Sequence, residues 1–183
     1  MQLPNSIIIP EVARLVGEGK TVTLPLRGIS MRPYLEDDRD KGLLVKVTEP
    51  LKVGDVILAQ TAADHYALHR IIRIEGDDIT MGGDGNLGNE YIKRADVMAI
   101  AKGFYRKGST RLSSTDTVGY KIYWKTWVAL RPVRRYLLLT WRLAHYPKET
   151  IKQIIKKTFP AIPVTLKPPK KCLNIQGINI ILT

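Results

Sequence analysis

Nucleophilic chemistry is the first possibility raised by a serine in a turn-rich segment and by three histidines elsewhere in the chain. Ser30 lies in the segment PLRGISMRPYL, residues 25–35. A serine hydroxyl becomes a useful nucleophile when a base within about 2.6–3.2 Å takes its proton. The candidate bases are His65, His69 and His145. His69 lies inside an apolar, strand-like segment that could hold an imidazole rigidly, whereas the other two lie in a turn and in a basic C-terminal region.

Four segments of the chain resemble, in the same order, the sequence boxes of the signal peptidase I superfamily. GISMRPYL, from residue 28, resembles the nucleophile box S-M-x-P-x-L, and VGDVILA, from residue 53, resembles the strand after a G-D turn. LHRII, from residue 68, resembles the base box, and GDGNLGNE, from residue 83, resembles the segment G-D-N-N-x-x-N-D. Bacterial signal peptidases and the related repressor-type proteases have a lysine base. His69 is therefore similar to the endoplasmic reticulum and archaeal branch, where histidine replaces lysine.

The resemblance implies a serine endopeptidase with a Ser-His-acid arrangement. Ser30 would be the nucleophile and His69 the general base. A carboxylate is needed to fix the imidazole tautomer and to stabilise the imidazolium that forms. The resemblance places it at Asp84 or Glu90, and Asp84 is the preferred candidate. The family commonly has serine or threonine two residues before the nucleophile, and this chain has Gly28 there. We therefore expect the oxyanion site at the Ser30 and Gly28 backbone, with the Ser30 N–H carrying most of that role.

The expected substrate is a polypeptide, bound as an extended segment and cleaved as a leader, signal or precursor peptide. The residues and the resemblance call for no cofactor and no metal. With a single cysteine, Cys172, the chain has no internal disulfide, and a reducing compartment is the simplest expectation.

Short β-prone segments separated by polar turns predict a mainly β core. The segments recur at intervals of roughly ten residues, which is typical of a small antiparallel barrel or sandwich. A short helix is predicted before them, at residues 10–20, where apolar residues share one face. The predicted strands are 21–26, 42–47, 56–60, 66–74, 78–81 and 97–105. The peptidase core is expected to span residues 1–108 and to fold alone.

A basic segment follows this core. Residues 1–105 carry a net charge of −2 and residues 106–183 a net charge of +14, which together give the +12 of the chain. A Ser/Thr-rich linker is predicted at 109–117 and a basic amphipathic helical tail at 118–183. Its aromatic residues recur at helical spacing over 120–146, and Pro132 is expected to divide this stretch into two helices.

The tail has three candidate partners. Aromatic residues on one face and arginines on another favour peripheral binding of residues 118–157 to an anionic membrane surface. Packing of Trp124, Trp127 and Trp141 against the core is equally favoured, and nucleic acid is the least favoured because no nucleic-acid motif is present. The alternative function is therefore an inactive peptidase-like protein that binds membranes or nucleic acid through its tail. With no secretory signal and no spanning helix predicted, we expect a cytoplasmic protein, peripheral on the inner face of the membrane if the tail binds lipid.

Overall fold

The computed structural model describes residues 5–145, 173–175 and 178–180, with side chains described for residues 6–140. The chain divides into two compact units, Met1–Arg134 and Arg135–Thr183. The predicted boundary at residue 108 lies inside the first unit.

The first unit is built on one antiparallel sheet of eight strands, which confirms the predicted mainly β fold. Its order is β1-β2-β7-β3-β4-β5-β6, with β8 paired to β7. Six strands were predicted within a few residues of their observed bounds, whereas β6 and β8 were not predicted. The strands are β1 (Val22–Pro25), β2 (Lys41–Val45), β3 (Val56–Ala62), β4 (His65–Glu75), β5 (Asp78–Gly82), β6 (Glu90–Lys93), β7 (Val97–Tyr105) and β8 (Leu112–Ser114).

Apolar side chains are buried on both faces of this sheet. Along β3, Val56 and Leu58 belong to one buried cluster and Ile57 and Ala59 to another, because successive strand residues point to opposite faces. The second cluster is enclosed by the sheet itself, since β6 approaches β3 although two strands separate them in the sheet order. Helices pack on the first cluster.

Helix α1 (Asn5–Gly17) is longer at its start than the sequence predicted. Pro10 was expected to begin the helix and instead lies inside it. Ile9, Val12 and Val16 are buried, and their spacing of three and four residues places them on one face. Burial of that face extends the helix through the isoleucines that precede Pro10.

Helix α2 (Val118–Ala129) packs on the sheet, and α3 (Arg134–His145) follows it. The break between them confirms the predicted division at Pro132. Thr117 caps α2, its hydroxyl oxygen accepting from Tyr120 N–H at 3.4 Å. The predicted linker is wrong in part, because β8 pairs with β7 inside residues 109–117.

The second unit contains a two-stranded antiparallel sheet of β9 (Leu173–Ile175) and β10 (Ile178–Ile180). Within the described ranges, no helix is both long and apolar enough to cross a membrane.

Candidate functional site

Ser30 lies in the turn between β1 and β2. The turn begins at Gly28, whose φ of +88° is a left-handed conformation that disfavours other residues. Gly28 N–H donates to Asp37 Oδ1 at 2.8 Å, and Arg32 N–H donates to Ile29 O at 3.2 Å. These bonds leave Ser30 half-buried at the tip of the turn.

The buried carboxylate of Asp40 fixes the end of the same turn. It accepts from Glu36 N–H at 2.9 Å and Lys107 N–H at 2.8 Å, and it pairs with Arg39. Burial opposes ionisation of Asp40, but the Arg39 guanidinium and the two N–H donors outweigh it and lower the pKa of this carboxyl. The segment that carries Ser30 is therefore tied at both of its ends.

His69 lies in the middle of β4, and its imidazole faces Glu90 at the start of β6. His69 Nδ1 is 2.6 Å from Glu90 Oε2. The imidazole is 5% exposed and the Glu90 side chain 35% exposed, so the pair lies at the edge of the core. An ionised carboxylate accepts hydrogen bonds and donates none, so Nδ1–H is the donor here. In the neutral imidazole, Nε2 then keeps its lone pair and can accept a proton.

The β5–β6 loop (residues 83–89) brings the Ser30 turn and His69 together. A Cβ added to Gly83 would lie 2.3 Å from Ser30 O and 3.1 Å from His69 Nε2, so the two groups meet at this glycine. Gly85 N–H donates to Ser30 O at 2.7 Å. Among the described residues, no hydrogen bond joins the Ser30 hydroxyl to His69 Nε2. Catalytic bonds of this kind often tighten only when substrate binds.

A groove of about 330 Å³ passes over these groups. Its lining includes Ser30, His69 and Glu90, and it also includes His65, whose Nδ1 contacts Ala63 O at 2.8 Å. His65 therefore contacts its own turn, whereas His69 contacts a carboxylate. The apolar lining residues are Leu26, Met31, Leu35, Tyr66, Ala67 and Leu68.

Asp84, the preferred acid of the sequence analysis, does not contact His69. Its carboxylate accepts from Arg70 Nε at 3.0 Å and from Arg70 Nη2 at 2.6 Å. Both side chains are almost fully buried, at 1% and 2% exposure. The expectation that Asp84 orients His69 is therefore corrected, and the carboxylate that meets His69 is that of the alternative residue, Glu90.

Helix α2 completes the surroundings of the Arg70–Asp84 pair. Arg70 Nη1 donates to Tyr120 Oη and Gly54 O, both at 2.9 Å. Tyr123 Oη donates to Asp84 Oδ2 at 3.0 Å, and burial raises the pKa of Tyr120 to about 12. These tyrosines were not among the predicted site residues. Their only signal was the aromatic stripe at helical spacing.

The predicted oxyanion donors have different surroundings. The Gly28 N–H is occupied by Asp37, so the expected contribution of Gly28 is not available in this conformation. Within residues 5–145, the Ser30 N–H has no hydrogen-bond acceptor. It remains the candidate donor from this turn.

Among the described residues, no three His, Cys, Asp or Glu side chains are placed to hold a metal ion. In the stretch 118–157, α2 directs Tyr120, Tyr123 and Trp124 to the core, which leaves fewer aromatic side chains for a membrane surface. Residues 146–157 and the side chains of Trp141 and His145 lie outside the described part of the chain.

Comparisons with known proteins found no match: no family model, curated protein or solved structure matches the chain.

Proposed function

We propose that the protein is a serine endopeptidase in which Ser30 is the nucleophile, His69 the general base and Glu90 the acid that orients His69. The observation that supports this proposal most is the 2.6 Å contact between His69 Nδ1 and Glu90 Oε2, with Nε2 beside Gly83, the residue that also approaches Ser30 O. A base oriented by a third group is one part of the arrangement that activates a serine nucleophile. The motif resemblance of the same serine and histidine supports the proposal independently.

The proposed reaction moves one proton from serine to histidine and on to the leaving group. Ser30 Oγ attacks the substrate carbonyl carbon, and its proton passes to His69 Nε2. The resulting imidazolium is stabilised by Glu90 through Nδ1–H. The oxyanion is met by the Ser30 N–H, and the imidazolium then protonates the leaving amine as the C–N bond breaks. Water, activated by the same imidazole, hydrolyses the Ser30 ester and regenerates the enzyme.

The proposed substrate is a leader, signal or precursor polypeptide that lies in the groove. Leu26, Met31, Leu35 and Leu68 line the groove near the serine, so an apolar substrate side chain suits this part of the surface.

Covalent modification by a fluorophosphonate tests the proposal without knowledge of the substrate. The full-length protein is incubated with the reagent, and intact mass followed by peptide mapping locates the modified residue. We expect one adduct, at Ser30, and no adduct in Ser30→Ala. In His69→Ala, the rate of labelling should fall by about 100-fold or more.

His65→Ala is the matched control, because His65 lines the same groove and its imidazole contacts Ala63 O of its own turn. Its labelling rate should equal that of the wild type. An unlabelled Ser30 in folded wild-type protein, or labelling that survives in Ser30→Ala at the same rate, would contradict the proposed function.

A further inference from the structure

Contacts from α2 and the residues after it run along the whole β5–β6 loop. Tyr123 Oη donates to Asp84 Oδ2 at 3.0 Å, and Trp127 Nε1 donates to Asp84 O at 2.9 Å. Arg131 Nη2 donates to Asn89 Oδ1 near the other end of the loop. Side chains and backbone of the loop are thus bonded to α2 and to Arg131, which follows α2 in the chain.

Arg134 adds a buried cation to these contacts. Its guanidinium lies over the Trp127 ring, 5.5 Å from the centroid, and donates to Trp127 O at 3.2 Å. It also donates longer bonds, at 3.4 Å, to Gly83 O and Asn86 O. Burial lowers the pKa of Arg134, since a charged guanidinium loses hydration there. Carbonyl groups of the loop are among the acceptors that compensate for this loss.

The loop in turn contacts the backbone of the proposed nucleophile. Gly85 N–H donates to Ser30 O at 2.7 Å, and a Cβ on Gly85 would lie 2.7 Å from Ile29 O. A Cβ on Gly83 would lie 2.3 Å from Ser30 O. Because these approaches leave no room for a side chain, a displacement of the loop would displace the Ser30 turn.

Helix α2 is itself fixed to the sheet. Tyr120 is buried among Tyr34, Phe104 and Tyr123, with ring centroids 5.3–6.3 Å apart. The Trp124 ring lies against Gly54, where a Cβ would come within 2.4 Å of it. Gly54 has a φ of +102°, so the close contact and the backbone conformation both require glycine.

We infer that α2 positions the nucleophile, with Tyr123 and Trp127 as positioning residues that act on Ser30 through Asp84 and the β5–β6 loop. This inference rests on the proposed function for its effect on reaction rate. The mechanical connection from α2 to the Ser30 turn is a separate claim and can be measured separately.

The test compares two tyrosine hydroxyls of α2 in the full-length protein. Tyr123→Phe removes a donor that bonds directly to Asp84 of the loop, while Tyr120→Phe removes a hydroxyl that is bonded to Arg70 and not to the loop itself. Both changes keep the aromatic ring. Amide hydrogen exchange of Gly85 reports the bond to Ser30 O, and the rate constant for fluorophosphonate modification of Ser30 reports the nucleophile.

We expect Gly85 exchange to be about 10-fold faster in Tyr123→Phe than in Tyr120→Phe and the wild type, with Ser30 labelling about 10-fold slower. The double variant Tyr123→Phe/Trp127→Phe should enlarge both effects. Equal changes in the two single variants would overturn the inference, because they would mean that the hydroxyls act through general stability. Unchanged Gly85 exchange in the double variant would also overturn it.

Failure of the proposed function gives a different result from failure of this inference. If Ser30 of the wild type is unlabelled, the enzyme proposal fails, and positioning of a nucleophile fails with it. Faster Gly85 exchange confined to Tyr123→Phe would still establish that α2 fixes the Ser30 turn.

Discussion

Two neighbouring residues of β4, His69 and Arg70, each pair with a carboxylate, and the two pairs differ in their exposure to solvent. His69 meets Glu90 at the groove, where the glutamate side chain is 35% exposed. Arg70 meets Asp84 in the interior, where both side chains are at most 2% exposed. Successive side chains of a strand point to opposite faces, so one strand presents one residue to each environment.

The difference separates a chemical role from a structural one. A base that exchanges protons with a substrate needs a free lone pair at a surface that the substrate reaches, and His69 Nε2 at the groove meets this requirement. The Arg70 guanidinium stays protonated in proteins and is enclosed by Asp84, Gly54 and Tyr120. The fully buried pair therefore stabilises the surroundings of the site, and the pair at the groove is the one that the proposed reaction uses.

Truncation after Gly108 should produce the largest effect, because it uncovers the Arg70–Asp84 pair. It removes β8 and α2, including the Tyr120 and Tyr123 hydroxyls that bond the pair. We expect no cooperative thermal unfolding by circular dichroism. The matched truncation after Arg134 retains the whole first unit and should unfold cooperatively. A folded 1–108 fragment would show that α2 is dispensable to the core.

Asp84→Asn tests the buried pair directly. It leaves the Arg70 cation buried without a countercharge, so the free energy of unfolding should fall by about 3–5 kcal/mol. Denaturant titration of the variant and the wild type measures the loss. A loss below about 1 kcal/mol would mean that water or another group solvates Arg70.

Alkaline pH should weaken the surroundings of the same pair. Tyr120 keeps its proton in the folded protein to about pH 12, because burial raises its pKa, whereas an unfolded tyrosine titrates near pH 10. The free energy of unfolding is thus unaffected by this group below about pH 10 and falls by about 2 kcal/mol as the pH rises to 12.

The measurement is the difference between wild type and Tyr120→Phe across this pH range. The variant should lose less stability than the wild type, and the exposed Tyr91→Phe should behave as the wild type does. Parallel pH curves for wild type and Tyr120→Phe would contradict the assigned role of burial.

Glu90→Gln should have the smallest effect on stability. The side chain is partly exposed, so water can replace part of its contact with His69, and a loss of about 1 kcal/mol or less is expected by denaturant titration. A loss as large as that of Asp84→Asn would remove the distinction between the two pairs.

Alternating apolar residues and polar turns were enough to predict six strands, and the order of four motifs singled out Ser30 and His69. The choice between Asp84 and Glu90 was not predictable, because Asp84 lies in the glycine-rich loop after β5 and Glu90 directly follows that loop. Only the pairing of β6 with β5 brings Glu90 to His69. Packing of the aromatic stripe against the core was one of two equally favoured expectations, but the contacts of α2 were not predictable. They depend on Gly54, which has no side chain beneath Trp124, and on the Tyr123 hydroxyl that bonds to Asp84, and both contacts join residues far apart in the sequence.

The central claim is that Ser30, His69 and Glu90 act as one unit, and the rate constant for fluorophosphonate modification of Ser30 in Glu90→Gln tests it most directly. The amide cannot stabilise the imidazolium as a carboxylate does, so we expect the rate constant to fall by about 100-fold or more in a protein that remains folded. His65→Ala, measured alongside, should keep the wild-type value. A folded Glu90→Gln protein whose Ser30 reacts as fast as that of the wild type would contradict the account.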